Sequence, residues 1–283
     1  MKHLQWQALW QLMRFHKPVG LWLLLWPTWQ TYWLITPPHK FWTLTLLTAG
    51  VVIMRATGCV INDLCDRHFD GHVPRTANRP LVTGAITVKQ AYCTAALGLL
   101  IAIIIALQLP KLCWYIAIYA GLITIVYPLS KRWMPCPQFL LGLAFACPVL
   151  MVTAACYHQL SHTPWWLFLQ ATIWPIAYDT LYAMADKPAD KSLPIKSSAQ
   201  WLGQHDWFAV IMLYSFCGAC WLAIAWQHQS YIILIGLVVA SAQLIPHLKN
   251  AKTREAHLCF EAFKANQWLG GWMTLAILLQ QFF

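Results

Sequence analysis

Charge is scarce in this sequence. Of 283 residues only nine are Asp or Glu and nineteen are Lys or Arg, 10% in all. A soluble domain carries about 25%. The hydrophobic share, 59% with eighteen Trp, exceeds what a soluble surface could hide. The shortage excludes a soluble globular protein and points to an all-α polytopic membrane protein. Nucleotide signatures are missing as well. No Walker sequence, G-x-G-x-x-G or nucleophile elbow occurs, so ATP hydrolysis, Rossmann cofactors and hydrolase chemistry have no support. Ten Cys are present, mostly in or beside apolar runs, and the lone C-x-x-C, Cys217 and Cys220, has no second pair. They are read as small apolar residues. His68/His72 and His158/His162 have helical metal-ligand spacing but no third ligand.

Apolar runs fall at 19–36, 42–61, 89–109, 112–129, 138–157, 164–183, 207–226, 230–247 and 267–283. Each is near the roughly 20 residues that a helix needs to cross a bilayer. Nine spans are therefore expected in residues 1–283, as one domain. Residues 1–18, with Leu4, Trp6, Trp10, Met13 and flanking cations, read as an interfacial amphipathic lead rather than a cleavable signal. Nine spans put alternate loops on one side. Seventeen of the nineteen Lys and Arg belong to the amino-terminal side and its helix ends; only Lys40 and Lys111 fall opposite. The positive-inside bias makes the richer side cytoplasmic. It also accounts for the net charge of +10 without a nucleic acid partner.

The nine acids lie on that same side, and most fall in two groups. Asn62, Asp63, Asp66 and Asp70 would share roughly a 100° arc of one helix. Asp179, Tyr182, Asp186 and Asp190 would share roughly an 80° arc, although Pro188 could end that helix early and leave Asp190 on a turn. Clustered carboxylates repel unless cations sit between them, and oxygen-only sets suit a hard ion such as Mg2+. Two such clusters suggest a diphosphate held between two metal ions. Asp66/Asp70 and Asp186/Asp190 repeat D-x-x-x-D 120 residues apart. That repeat fits two four-helix halves plus one helix, with the site at their interface.

Arg67, Arg75, Arg79, Lys131, Arg132, Lys187, Lys191 and Lys196 lie in the same loops. Such cations stabilise charge on a leaving diphosphate; Arg79, Lys131 and Lys196 are the favoured phosphate partners. An ion-coupled transporter is a competing reading, but its acids belong near the bilayer midplane, not at the rim.

Specific stretches carry a resemblance. They are Asn62-Asp63-x-x-Asp66-Arg67-x-x-Asp70, then Arg75-Thr76-Ala77-Asn78-Arg79-Pro80, and Tyr178-Asp179-Thr180-x-Tyr182-Ala183-Met184-x-Asp186 through Ile195-Lys196-Ser197-Ser198. Lys17-Pro18-x-Gly20, Tyr127-Pro128-x-x-Lys131-Arg132 and Arg254-Glu255-Ala256 belong to the same set. Together they resemble the UbiA-type intramembrane prenyltransferase family over nearly the whole chain, most closely its hydroxybenzoate branch. The resemblance implies a nine-helix bundle in a bacterial inner membrane, with a cytoplasmic polar cap and a lateral opening for a lipid chain. It implies Mg2+ and two substrates, a polyprenyl diphosphate and 4-hydroxybenzoate, in the ubiquinone pathway. A relative using another aromatic acceptor is the nearest alternative. By motif position, Asp63, Asp66, Asp70, Asp186 and Asp190 would bind Mg2+–diphosphate with help from Asn62 and Arg67. Arg132 would pair with the acceptor carboxylate, and Asp179 and Tyr182 would organise the second half-site. The chain departs from the family pattern at His16, at Lys187-Pro188-Ala189-Asp190 and at Pro194, which thins the second acidic cluster.

Overall fold

The computed structural model describes residues 2–35, 40–73, 75–190 and 194–282. Among these every regular element is helical. The order is α1 (Lys2–Leu12), α2 (Val19–Ile35), α3 (Phe41–Asp66), a 3-10 turn (Asp70–His72), α4 (Val88–Leu107), α5 (Lys111–Ser130) and α6 (Gln138–Tyr157). Then follow α7 (Trp165–Asp190), the short α8 (Ser198–Leu202), α9 (Asp206–Gln227), α10 (Tyr231–Ala251) and α11 (Ala256–Gln280).

Hydropathy decides which helices face outward. Among the described residues, six helical segments are long and apolar enough to cross a membrane: α3, α4, α5, α6, α10 and the stretch containing α8 and α9. The outer faces of α4 and α5 stay uncovered, with Leu97, Leu100, Ile104, Tyr115 and Leu122 all more than half exposed. Helix α2 falls outside this set by length, with 17 residues, and α7 and α11 by the polar side chains interspersed in them. Gln30 of α2 donates to the Gly270 carbonyl (3.1 Å) and to Thr274 (3.2 Å) of α11. Asn266 of α11 accepts from Trp174 of α7 (2.7 Å) and Tyr214 of α9 (2.8 Å). Such bonds fix helix neighbours where apolar contact alone is not selective.

Packing is closest at small residues. A Cβ on Gly142 of α6 would meet the Thr172 carbonyl oxygen of α7 at 2.1 Å, so the two backbones touch there. Helix α2 packs on α3, α6 and α11; α7 packs on α6, α9 and α11; α10 closes against α9 and α11.

Two sequence expectations change. Helix α3 ends at Asp66 and Asp70 opens a separate 3-10 turn, so the first cluster is not on one helix. Helix α7 instead continues through Pro188 to Asp190, so the second cluster is. Both helices outrun their apolar runs because their last turns lie in the polar cap of the bundle, where charged residues remain helical.

Candidate active site

The polar ends of α3 and α7 meet at the mouth of one cavity of about 1390 Å³. Helix α3 contributes Asn62, Asp63 and Asp66, the following turn Asp70, and α7 Asp179, Tyr182, Asp186 and Asp190. The body is apolar, with Leu46 and Leu47 of α3, Leu99, Ile103 and Ala106 of α4, and Trp114 and Ile118 of α5 on its wall. The stretch from Leu46 to Asp66 is about 30 Å at 1.5 Å per residue, so the cavity follows α3 for most of its length.

At the mouth, the carboxylates face cations. Arg14 lies 2.6 Å from Asp63 Oδ1. Arg79 joins Asp63 (3.1 Å) to Asp70. Lys131 donates to Asp66 (2.8 Å) and to Asn62 (3.2 Å). Arg75, from the loop after the first cluster, grips both oxygens of Asp186 in the second, at 3.0 and 2.5 Å. Its guanidinium also lies 4.3 Å from the Tyr182 ring centroid. That fork ties the loop following the first acidic cluster to the second.

Burial pushes the Asp70 carboxyl up to about 6; Arg79 opposes this, and Asp63 and Asp66 add to it. Burial also pushes Asp190 up to about 6, with Asp186 adding to it. Lys17 is lowered by burial and by Arg14, Arg75 and Arg79. The donors suit Mg2+, being carboxylate and amide oxygens. Asp63 Oδ2 is moreover buried without a hydrogen-bond partner, a position that costs free energy unless a cation meets it. Among the described residues, no three His, Cys, Asp or Glu side chains converge on one metal position. A bound ion would therefore take further ligands from substrate oxygens.

Of the residues picked out on sequence, Asn62, Asp63, Asp66, Asp70, Arg79, Lys131, Asp179, Tyr182, Asp186, Asp190 and Lys196 line this cavity. Lys196 also backs Lys131, its amide donating to the Lys131 carbonyl at 2.6 Å. Arg67 and Arg132 do not line it. Arg67 donates to the Leu64 carbonyl (2.9 Å) and Arg132 to that of Cys65 (3.3 Å), and both border a separate outer groove among α3, α4 and α5. Each directly follows a residue that points inward, and the next helical position is turned by about 100°. Lys187 turns away to Asp206, and Lys191 lies outside the described residues.

Arg14, Lys17 and Arg55 also line the cavity and were not singled out on sequence. Arg55 sits seven residues before Asn62, on the same face of α3. Its Nη1 donates to Cys59 Sγ at 2.9 Å. Its Nη2 crosses Gly20 so closely that a Cβ there would lie 2.1 Å away. The missed signal was a cation inside an apolar run, which marks a functional position by default.

Comparison with known proteins agrees with this geometry. Residues 24–273 match the UbiA prenyltransferase family, and the chain belongs to that family of membrane prenyltransferases. Two relatives are similar over nearly their whole length. The 4-hydroxybenzoate octaprenyltransferase of Methylobacillus flagellatus is 41% identical, over 98% of this chain and 94% of its own. The enzyme of the same name from Tolumonas auensis is 39% identical, over 97% of each chain. Among solved structures, the apo UbiA homologue of Aeropyrum pernix K1 superposes with a TM-score of 0.83 at 22% identity, over 92% of this chain and 97% of that one. The Archaeoglobus fulgidus homologue bound to GPP and Mg2+ gives 0.73 at 17% identity, over 95% and 99%. These two likenesses concern the fold.

Proposed function

We propose that this protein transfers a polyprenyl group from polyprenyl diphosphate to the ring of 4-hydroxybenzoate, ortho to the hydroxyl, releasing diphosphate, in ubiquinone biosynthesis. The observation that carries the reading is the pair of carboxylate clusters, the second tied by Arg75 to the loop after the first, at the cation-rich mouth of one long apolar cavity. Near-full-length identity of 41% and 39% to two 4-hydroxybenzoate octaprenyltransferases supports the acceptor and a long prenyl donor. The protein crosses the bacterial inner membrane nine times, by α2–α7 and α9–α11, with the acidic mouth toward the cytoplasm. The confinement of Lys40 and Lys111 to the opposite side supports that orientation.

The donor enters with its diphosphate at the mouth and its chain along the apolar wall. Asp63, Asp66, Asp70, Asp186 and Asp190, with Asn62, would hold Mg2+, which when bound neutralises charge on the leaving group. As the metal-loaded donor binds, Arg75, Arg79 and Lys131 exchange carboxylate for phosphate oxygens, and as the allylic C–O bond breaks they take up the developing charge. Asp179 and Tyr182 shape the second half of the mouth. Arg55, about 10 Å below Asn62 along α3, holds the acceptor carboxylate and points the phenol end toward the allylic carbon. The ring carbon ortho to the hydroxyl forms the new C–C bond and then loses its proton. The apolar wall keeps water from the allylic cation.

The test is an assay of membranes with labelled 4-hydroxybenzoate, a long-chain prenyl diphosphate, and either Mg2+ or EDTA. A lipid-extractable labelled product that requires the metal is expected. Product with another aromatic only would replace the acceptor; no product with any acceptor would overturn the reaction.

A further inference from the structure

Asp206 is the one acid that does not line the cavity yet is fully buried. It begins α9 and is held from three directions. Lys187 Nζ donates to Oδ2 at 2.7 Å, Arg254 Nε to Oδ1 at 2.9 Å, and the Trp207 amide to Oδ1 at 2.7 Å. The same cations bond the 3-10 turn Gly203–His205 that leads into α9: Lys187 donates to the Gly203 carbonyl (2.6 Å) and Arg254 to that of Gln204 (2.7 Å). Arg254 reaches Asp206 from the turn between α10 and α11, where its own backbone takes the left-handed conformation, φ 62°. Non-glycine residues adopt that region only where surrounding contacts hold them.

Lys187 is the residue directly after Asp186, in the last turn of α7. That turn is intrinsically weak. Pro188 has no amide hydrogen, so the helical bond to the Met184 carbonyl is lost, yet the helix continues to Asp190. Something outside the helix must hold it, and Lys187 on Asp206 is the ionic tie from α7 to α9.

We propose that Asp206, with Lys187 and Arg254, is a positioning element that holds the final turn of α7, and with it Asp186 and Asp190, in register with the first acidic cluster. The proposal rests on the prenyl-transfer reading and adds a role to residues that touch no substrate. Releasing the tie lets that turn fray, so the second cluster meets the metal–diphosphate only at higher Mg2+.

The experiment compares wild type with Asp206→Asn, Lys187→Met and Lys187→Arg. One readout is the Mg2+ concentration giving half-maximal turnover. A second, free of turnover, is calorimetric binding of a non-reactive prenyl thiolodiphosphate with Mg2+ and no acceptor. Thermal unfolding in detergent is the control. We expect the Mg2+ midpoint to rise about tenfold in Asp206→Asn and Lys187→Met, with analogue binding weakened in parallel and turnover recovering at saturating Mg2+. Lys187→Arg keeps the tie and should stay within about twofold. Lys187→Met leaves Asp206 paired with Arg254 and the Trp207 amide, so it decides the matter if Asp206→Asn does not fold. An unchanged midpoint and unchanged analogue binding in folded Lys187→Met overturns the proposal. Wild type lacking Mg2+-dependent turnover while still binding the analogue would instead overturn the reaction.

Discussion

Two arginines compete for the acceptor carboxylate. Arg132 is favoured by motif position, Arg55 by its place inside the cavity. The perturbation is Arg55→Met, which keeps length and removes charge. Hydrogen bonds to charged groups contribute about 1.5–3 kcal/mol, and each 1.4 kcal/mol is a factor of about ten. Losing the pair should therefore raise the KM for 4-hydroxybenzoate about 10- to 150-fold. The lower part of that range is expected, since Arg55 is only half-buried. Donor KM should stay within about twofold, because the diphosphate lies about 10 Å away along α3. Initial rates against 4-hydroxybenzoate at saturating donor measure the first, and a donor titration the second. 4-Hydroxybenzaldehyde, which lacks the carboxylate, should distinguish wild type from Arg55→Met far less. Gly20→Ala should give a weaker form of the same defect, since the new methyl displaces the Arg55 guanidinium. The reasoning fails if Arg55→Met leaves acceptor KM unchanged while Arg132→Ala raises it.

Other outcomes follow from the same geometry. Asp66→Ala and Asp186→Ala should each abolish product formation while the protein still inserts, as measured by extraction and by the labelled-product assay. Lys131→Met removes the partner of Asp66 and the proposed phosphate ligand, and should raise donor KM about tenfold or more with acceptor KM little changed. Gly142→Ala drives a methyl into the Thr172 carbonyl and should cost about 1–3 kcal/mol, seen as lower thermal stability in detergent. Gly218→Ala, where the added carbon meets nothing within 4 Å, should show no loss.

Much of the fold was legible because the bilayer imposes a length on apolar runs: each run overlaps a long helix of the described residues, and six of those helical segments are long and apolar enough to cross a membrane. Their ends were less legible. Hydropathy stops where charge begins, so the apolar runs end before Asp66 and Asp190, although both residues are helical, while the helical arc drawn through Asp70 overran α3, which ends at Asp66. Residue types and loop membership located the acids correctly at one mouth. Direction within a loop was not legible: Arg67, Arg132 and Lys187 share loops with true lining residues, yet one helical step turns each away. Arg55 was hidden for the opposite reason, a single cation averaged into an apolar window. The contacts of Arg75 and Arg254 cross 111 and 48 positions of sequence, distances over which no local pattern reports.

Near-complete pairing at the mouth has a consequence for the order of events. Asp63, Asp66, Asp70 and Asp186 each already face an Arg or Lys. These four carboxylates therefore present little uncompensated negative field to a lone divalent ion, and the cations paired with them are not free for a lone phosphate. A metal and a diphosphate arriving together can trade partners with these pairs, each cation moving from carboxylate to phosphate as each carboxylate gains the metal. Such an arrangement works as a two-key latch. It discriminates against free ions and simple phosphates and opens for the loaded donor, before an allylic cation is ever formed.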